Sequence, residues 1–386
     1  MSGSPVLVVN AGSSSLKVKL FPHGHALLVE RIGGEVGASG PPSLPIDVSA
    51  VTGHDAALHA CLRAIENELA LTSIKLVGHR VVHGGERYTA PVVLDAEAIV
   101  QVERLSALAP LHNPANVKAI RAARQLLPHA RHVAVFDTAF HATLPPRAYL
   151  YGLPYRYYLE HGIRRYGFHG TSHDFVTRRA AGMMSADRAD LRLVSLHLGN
   201  GASAAAVKHG ESVDTSMGFT PLDGLLMGTR SGEIDPGVLL HLLEAGMTAE
   251  QLNTLLNKES GLLGVSGVSN DVRDIHREAE AGNERARLAL EVLCHRIKKV
   301  IGSYAAVMGG LDGVVFTGGI GENDPVVRAA ALEGLDFLGI ALDAGRNAAN
   351  AERISADASR VAVTVVAADE EQMIAEAVRA ILAADG

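Results

Sequence analysis

Cysteine is scarce in this sequence of 386 residues: only Cys61 and Cys294 occur, far apart and each on a helical pattern. That excludes a disulfide scaffold and points to buried free thiols in a reducing compartment. No apolar run is long enough to span a bilayer. Met1-Ser2-Gly3-Ser4-Pro5 leads straight into a strand pattern without a basic and then apolar segment, so no signal peptide is expected, and a cytoplasmic setting is. Positive charge is not in excess either. Thirty-five Lys and Arg stand against 42 Asp and Glu, a net charge of −7, which argues against nucleic acid or an anionic membrane as partner. Any bound anion must therefore be caught by local Arg, Lys and N–H groups. Despite 18 histidines there is no H-E-x-x-H and no paired-Cys motif, a poor fit to zinc. Hydrophobic content of 47% and charged content of 20% are ordinary for a globular protein, and the length suits two or three domains.

Two stretches carry the same kind of Gly/Ser turn between apolar strand patterns. The first runs Val6–Asn10, Ala11–Ser15, Leu16–Phe21; the second runs Leu193–Leu198, Gly199–Gly201, Ala202–Val207. Small residues in a turn let backbone N–H groups approach an anion that bulkier side chains would hold off. One such turn in each half of the chain implies a duplicated α/β enzyme that holds phosphates between related halves. Val133–Thr138 and Gly313–Gly318, short apolar strands ending in polar or glycine turns, read as a second echo.

Helical spacing puts Leu58, Cys61, Leu62, Ile65 and Leu69 on one face of His54–Ala70, and Asn113 before Pro114 is a helix start. Glu284–Val307 reads as a long helix that buries Leu288, Leu293, Ile297, Ile301 and Met308 and stops at Gly309-Gly310. Gly33–Ser43 reads as a surface loop, Val361–Val366 as the last strand, and the proline-broken Leu144–Pro154 as the domain boundary. Strands alternating with helices imply α/β layers, and the hairpins make the sheets mixed. The expected domains are residues 1–145 joined by a C-terminal helix at about 371–386, and residues 146–370.

Gly199-Asn200-Gly201-Ala202-Ser203-Ala204 matches G-x-G-x-x-A, but a strand pattern follows where a nicotinamide-binding fold needs a helix; a Gly-x-x-x-x-Gly-Lys loop is absent. Arg80 sits among apolar residues in His79–Gly85, where an unpaired guanidinium is costly, and Arg230 lies in the glycine loop Met227–Gly232. The planar fork of Arg matches carboxylate and phosphate oxygens, although either residue alone also reads as a surface Arg. Asn10 with Ser13–Ser15 also reads as an ordinary turn, and Lys17 as a solvated side chain. Co-occurrence is what favours a site. His112, His169 and His197 stand in turns beside these candidates. Asp137 ends an apolar strand, where α/β sheets place their chemistry, and Glu370 begins a helix, where an acid also suits the positive end.

Taken together, these segments closely resemble the acetate kinase family. The resemblance covers nearly the whole chain: Asn10–Leu20, Gly78–Gly85, Pro110–Pro114, Val135–His141, Arg165–His173, His197–Gly201, Asp214–Gly232 and Gly318–Asn323. It implies a dimeric acyl-phosphate-forming kinase with a duplicated actin-like ATPase or sugar kinase-type fold, two domains of mixed sheets flanked by helices. The substrates implied are acetate and ATP, giving acetyl phosphate and ADP with Mg2+ or Mn2+. Residue by residue, it implies that Asn10 and Glu370 organise the metal and that Lys17 contacts ATP. Arg80 and Arg230 would hold the substrate carboxylate and the phosphoryl group in flight. Asp137 corresponds to the catalytic aspartate, with His169 and Arg230 as transition-state stabilisers. His197, Leu198, Gly199, Asn200 and Gly201 would line the phosphates. Asp271, Val272, Arg273, Gly319, Ile320, Gly321, Glu322 and Asn323 would hold the adenosine, and Val82, Leu111, Phe168 and Pro221 match the pocket for the acetate methyl. The N-terminal domain would then carry the substrate contacts and the C-terminal domain the nucleotide. The chain departs from the family at Ala368-Asp369, where Thr-Asn is usual, at Ala142 and Leu144 in His141–Pro145, and in a shortened segment around Gly33–Ser43.

A carboxylate acceptor with a pKa of about 4 is already deprotonated at neutral pH, so Asp137 is expected to position the metal or an Arg and not to accept a proton. The halves are expected to close over the substrates and exclude water. The rivals are a kinase preferring propionate or another short acid, a chaperone-like ATPase with conformational output, and a sugar kinase.

Overall fold

The computed structural model describes residues 5–12, 14–110 and 112–384; Ser13 of the first turn and Leu111 of the expected methyl pocket lie outside them. Twelve strands are found among the described residues: β1 (Val6–Ala11), β2 (Ser15–Phe21), β3 (His25–Glu30), β4 (Gly37–Ser39), β5 (Leu76–Val81), β6 (Val92–Val93), β7 (Arg131–Phe136), β8 (Arg192–Leu198), β9 (Ala202–Lys208), β10 (Glu211–Thr215), β11 (Gly313–Thr317) and β12 (Ala362–Val365). The chain divides into two compact units, Met1–Ala139 with Asp369–Gly386, and Phe140–Ala368.

The first unit is built on a sheet of order β4-β3-β2-β1-β5-β7-β6. β1 pairs antiparallel with β2 and parallel with β5, and β5 pairs parallel with β7. Side chains alternate across a strand, so β1 buries both faces. Leu7 and Val9 join Leu58, Cys61, Leu62 and Ile65 of the helix His54–Glu66 in one core. Val6 and Val8 face Ile374, Ala375 and Val378 of the C-terminal helix Glu370–Ala384 in another. That helix presses so close to β5 that a Cβ at Gly78 would lie 2.6 Å from Ile374 Cγ2, a demand for glycine by contact alone. Gly33–Ser43 is more than a loop: it holds β4, the short edge strand of this sheet.

The second unit repeats the pattern. Its sheet has order β10-β9-β8-β11-β12, with β8–β9 and β9–β10 antiparallel and β8–β11 and β11–β12 parallel. Strand for strand this matches β3-β2-β1-β5-β7, so the duplication and the mixed sheets expected from the sequence are present. The second echo is misaligned, however. The partner of β11 in this order is β5, and the partner of β7 is β12; Val133–Thr138 and Gly313–Gly318 resemble each other as apolar strands, not as equivalent ones. The helix Gly170–Met183 packs Val176 and Ala180 against Val315 and Val366. The helix Glu284–Met308 buries Leu293, Ile297, Ile301 and Met308 and ends at Gly309 with φ 73°. Leu288, expected inside, is 49% exposed. At 100° per residue it falls about 140° round the helix from Leu293, off the buried stripe. No helix among the described residues is long and apolar enough to cross a membrane.

Candidate active site

In the first unit the parallel register sets Val9 beside His79 and Arg80 beside Val135, so the carboxyl ends of β1, β5 and β7 present Asn10, Arg80 and Asp137 together. Arg80 donates from Nε and Nη2 to the two oxygens of Asp137 at 3.0 and 2.6 Å, and from Nη1 to Asn10 Oδ1 at 3.2 Å. Glu370 Oε2 lies 3.5 Å from Arg80 Nε. Burial opposes the charge on Arg80, but the carboxylates of Asp137, Glu370 and Glu371 outweigh it and hold the guanidinium pKa above its usual value. The sequence reading passed over Glu371. It is 4% exposed and accepts from Lys17 Nζ at 2.9 Å and Asn10 Nδ2 at 3.4 Å. Asp369, the unusual acid, is committed to structure: it accepts from Lys19 Nζ at 2.8 and 2.9 Å and from Gln372 N at 2.9 Å, the N-terminal cap of its helix.

Hard oxygen donors suit Mg2+, which takes one or two carboxylates and keeps water and phosphate oxygens for the rest. Asn10, Asp137, Glu370 and Glu371 offer such donors, and the acids Asp137, Asp369, Glu370 and Glu371 outnumber Arg80, Lys17 and Lys19 by one charge. The donor set fits a divalent cation chemically, though no three His, Cys, Asp or Glu among the described residues form a ready cage.

Two buried asparagines on the helix Asn113–Leu126 tie the turns of this unit together. Asn116 accepts from Val82 N at 3.1 Å and donates to Ala11 O at 2.7 Å. Asn113 accepts from His83 N and donates to His83 O, both at 3.1 Å. Sequence reading caught Asn113 only as a helix start. A buried amide at helical spacing from another was the available signal. Val82, 9% exposed, follows β5, and His112 directly precedes the helix.

In the second unit the turn between β8 and β9 is closed by Gly199 N donating to Gly201 O at 3.0 Å. Asn200 is pinned on both sides, its carbonyl accepting from Gly228 N and its side chain from Asn270 Nδ2, each at 2.9 Å. Gly201 admits two candidates to the hairpin: a Cβ there would lie 3.0 Å from Arg230 Nη2 and 3.6 Å from His169 Cε1. Arg230 donates to Pro221 O at 2.6 Å. No carboxylate among the described residues forms an ion pair with it, and burial alone pulls its pKa below the usual guanidinium value. Such a cation favours the arrival of an anion.

His169 stands at φ 56°, a left-handed position before the helix Gly170–Met183, and its ring lies 4.4 Å from that of His197. His197 Nδ1 is 2.8 Å from Ser172 Oγ. Phe168 is buried, and its carbonyl accepts from His141 Nε2 at 3.0 Å. Arg165, another residue missed, donates to the carbonyls of Thr215, Ser216 and Met217 at 2.9 to 3.2 Å.

A cavity of about 740 Å³ in this unit gathers Gly199, Asn200, Asp271, Val272, Arg273, Gly319, Ile320 and Asn323 from the sequence candidates, and adds Asn270, His276, Asp324 and Val326. Val272, Ile320 and Val326 supply apolar walls of the kind a base stacks on. Arg273 hydrogen bonds draw the Asp271 carboxyl down to about 2. Glu322 turns away from the cavity lining: its carboxylate accepts from Gly318 N at 2.9 Å and Ala368 N at 3.0 Å. Gly321 is buried, its carbonyl accepting from Arg328 at 2.9 Å.

Two like-ordered mixed sheets, each carrying a small-residue hairpin turn, define the duplicated actin-like ATPase and sugar kinase class of fold. The chain belongs to the acetokinase family, whose model matches residues 5–376. It is 50% identical to the acetate kinase of Bacillus subtilis strain 168, over 96% of this chain and 98% of that protein. Among solved structures it is similar to the Porphyromonas gingivalis acetate kinase, with a TM-score of 0.91 at 44% identity over 98% of this chain and all of that one. It is also similar to a propionate kinase from Francisella tularensis, with a TM-score of 0.89 at 38% identity over 98% and 99%.

Proposed function

We propose that the chain transfers the γ-phosphoryl group of ATP to acetate, reversibly, giving acetyl phosphate and ADP. A carboxylate oxygen of acetate forms a bond to γ-phosphorus as the bond to the β,γ-bridging oxygen breaks, with attacking and leaving oxygens in line. The observation that carries this reading, within the acetokinase family, is Arg230: a partly buried guanidinium beside the Gly199–Gly201 turn that lacks a carboxylate counter-ion among the described residues. In the second unit the 740 Å³ cavity takes the nucleoside, the Gly199–Gly201 turn and His197 its phosphates, and His169 and Arg230 the charge that builds on the equatorial oxygens. A positioned Arg is worth about 10^3–10^5 in rate in such transfers.

In the first unit Arg80 receives the acetate carboxylate and Val82 borders the methyl group. Asp137 acts through Arg80: both its oxygens accept from that guanidinium, so it serves as an orienting group and not as a base. Asn10 and Glu370 would hold Mg2+, with Glu371 and Lys17 beside them. When bound, Mg2+ neutralises phosphate charge. The reading takes the protein as a cytoplasmic homodimer, the dimer being open to sedimentation analysis.

Hydroxylamine trapping with ATP and Mg2+, offered acetate, propionate or butyrate in turn, tests the reaction. Acyl hydroxamate from acetate is expected. ATP hydrolysis with no hydroxamate from any acid would replace this reading with that of an ATPase. One methylene is worth only about 0.8 kcal/mol, so leakage to propionate is expected as well.

A further inference from the structure

Behind His169 runs a chain of buried hydroxyls and imidazoles that phosphoryl transfer itself does not use. His169 Nδ1 lies 2.8 Å from Ser203 Oγ, the same oxygen lies 2.8 Å from His173 Nε2, and His173 Nδ1 lies 2.9 Å from Ser195 Oγ. Ser195, Ser203 and His173 are each 0% exposed and come from β8, β9 and the helix Gly170–Met183. A hydroxyl owns a single hydrogen. Buried among these groups, the Ser203 hydroxyl has no acceptor for its hydrogen among the described residues other than the two ring nitrogens, so it donates to one of them and accepts an N–H from the other. Hydrogen placement on His169 is therefore coupled to that on His173.

We propose that Ser203 and His173 are positioning residues that keep the ring hydrogen of His169 on Nε2, His173 Nε2–H donating to Ser203 Oγ and Ser203 O–H donating to His169 Nδ1. Burial first, then the nearby His141 and His197, push the pKa of His173 well below its usual value, so its ring holds one hydrogen. Ser195 O–H completes the chain by donating to His173 Nδ1. The opposite direction would put the hydrogen of His169 on Nδ1 and leave a lone pair at Nε2. Phosphoryl oxygens gathering negative charge are repelled by a lone pair and stabilised by an N–H. The backbone at this point is held in the same manner. Phe168 O only accepts, so His141 must donate from Nε2, and Ser212 O–H supplies His141 Nδ1 at 2.7 Å.

This inference rests on the role given to His169 above, and ring-nitrogen NMR on substrate-free protein tests it independently of turnover. Wild-type His169 should show hydrogen on Nε2 and a bare Nδ1. Ser203→Ala should mix the two tautomers and lower kcat about 10-fold, the worth of one neutral hydrogen bond, with both KM values within about two-fold. Hydrogen on Nδ1 in the wild type overturns the proposal, as does an unchanged spectrum and kcat in Ser203→Ala. The wild-type spectrum decides even where the variant folds poorly. If wild-type protein forms no acyl hydroxamate while His169 carries its hydrogen on Nε2, the functional reading fails and the tautomer assignment stands.

Discussion

Replacing Asn116 with alanine should loosen the first unit at the point where its turns are joined. The side chain is 2% exposed and makes two hydrogen bonds to buried backbone, from Val82 N and to Ala11 O. Alanine leaves both backbone groups without that partner. Each buried polar group left unsatisfied costs about 1–3 kcal/mol, so a loss of about 3 kcal/mol is expected. Hydrogen exchange reads it locally: protection of the Val82 amide should fall about 100-fold, the equivalent of that energy. Amides of β8 and β11 in the second unit serve as the control and should keep their protection. Because Ala11 follows Asn10 and Val82 follows Arg80 by two residues, KM for acetate should rise as well. Unchanged exchange at Val82 would refute the claim that Asn116 ties the two turns.

Three further outcomes follow from the geometry. Arg230→Ala should lower kcat by far more than it raises the acetate KM, and a pure KM effect in steady-state kinetics would contradict the clamp. Burial holds the His83 and His141 rings down at about 4 against 6.5 when unfolded, so below pH 6.5 the unfolded chain binds protons that the folded one refuses. Their contribution is complete above pH 6.5 and is lost as pH falls to about 4, at up to about 3 kcal/mol each, which urea unfolding across that range would show as a falling midpoint. Burial pushes the Cys61 thiol up to about 12 and the Cys294 thiol up to about 11, so iodoacetamide at pH 8 should label the protein only after denaturation.

Strand and helix identity was legible because burial imposes period: β1 alternates Val6 and Val8 with Leu7 and Val9 between two cores, and the helix His54–Glu66 repeats its apolar face. The candidate residues Arg80, Asp137, His169 and Arg230 were legible as well, since they sit in turns or near strand ends and their co-occurrence outweighs the surface or turn reading that each has alone. Partners were not legible. That Glu371 meets Asn10 and Lys17, that Asp369 is spent on Lys19 and a helix cap, and that Asn116 bridges Val82 and Ala11 depend on residues up to 361 positions apart.

Local pattern by itself determined the duplicated α/β layers and the two hairpin turns, because hydrophobic period and turn chemistry act over a few residues. Only tertiary structure decided which strands are equivalent, which carboxylate faces which cation, and that Leu288 points outward. Those depend on sheet order and helix docking, and in them the desolvation of a charge is offset only by a partner brought from far along the chain.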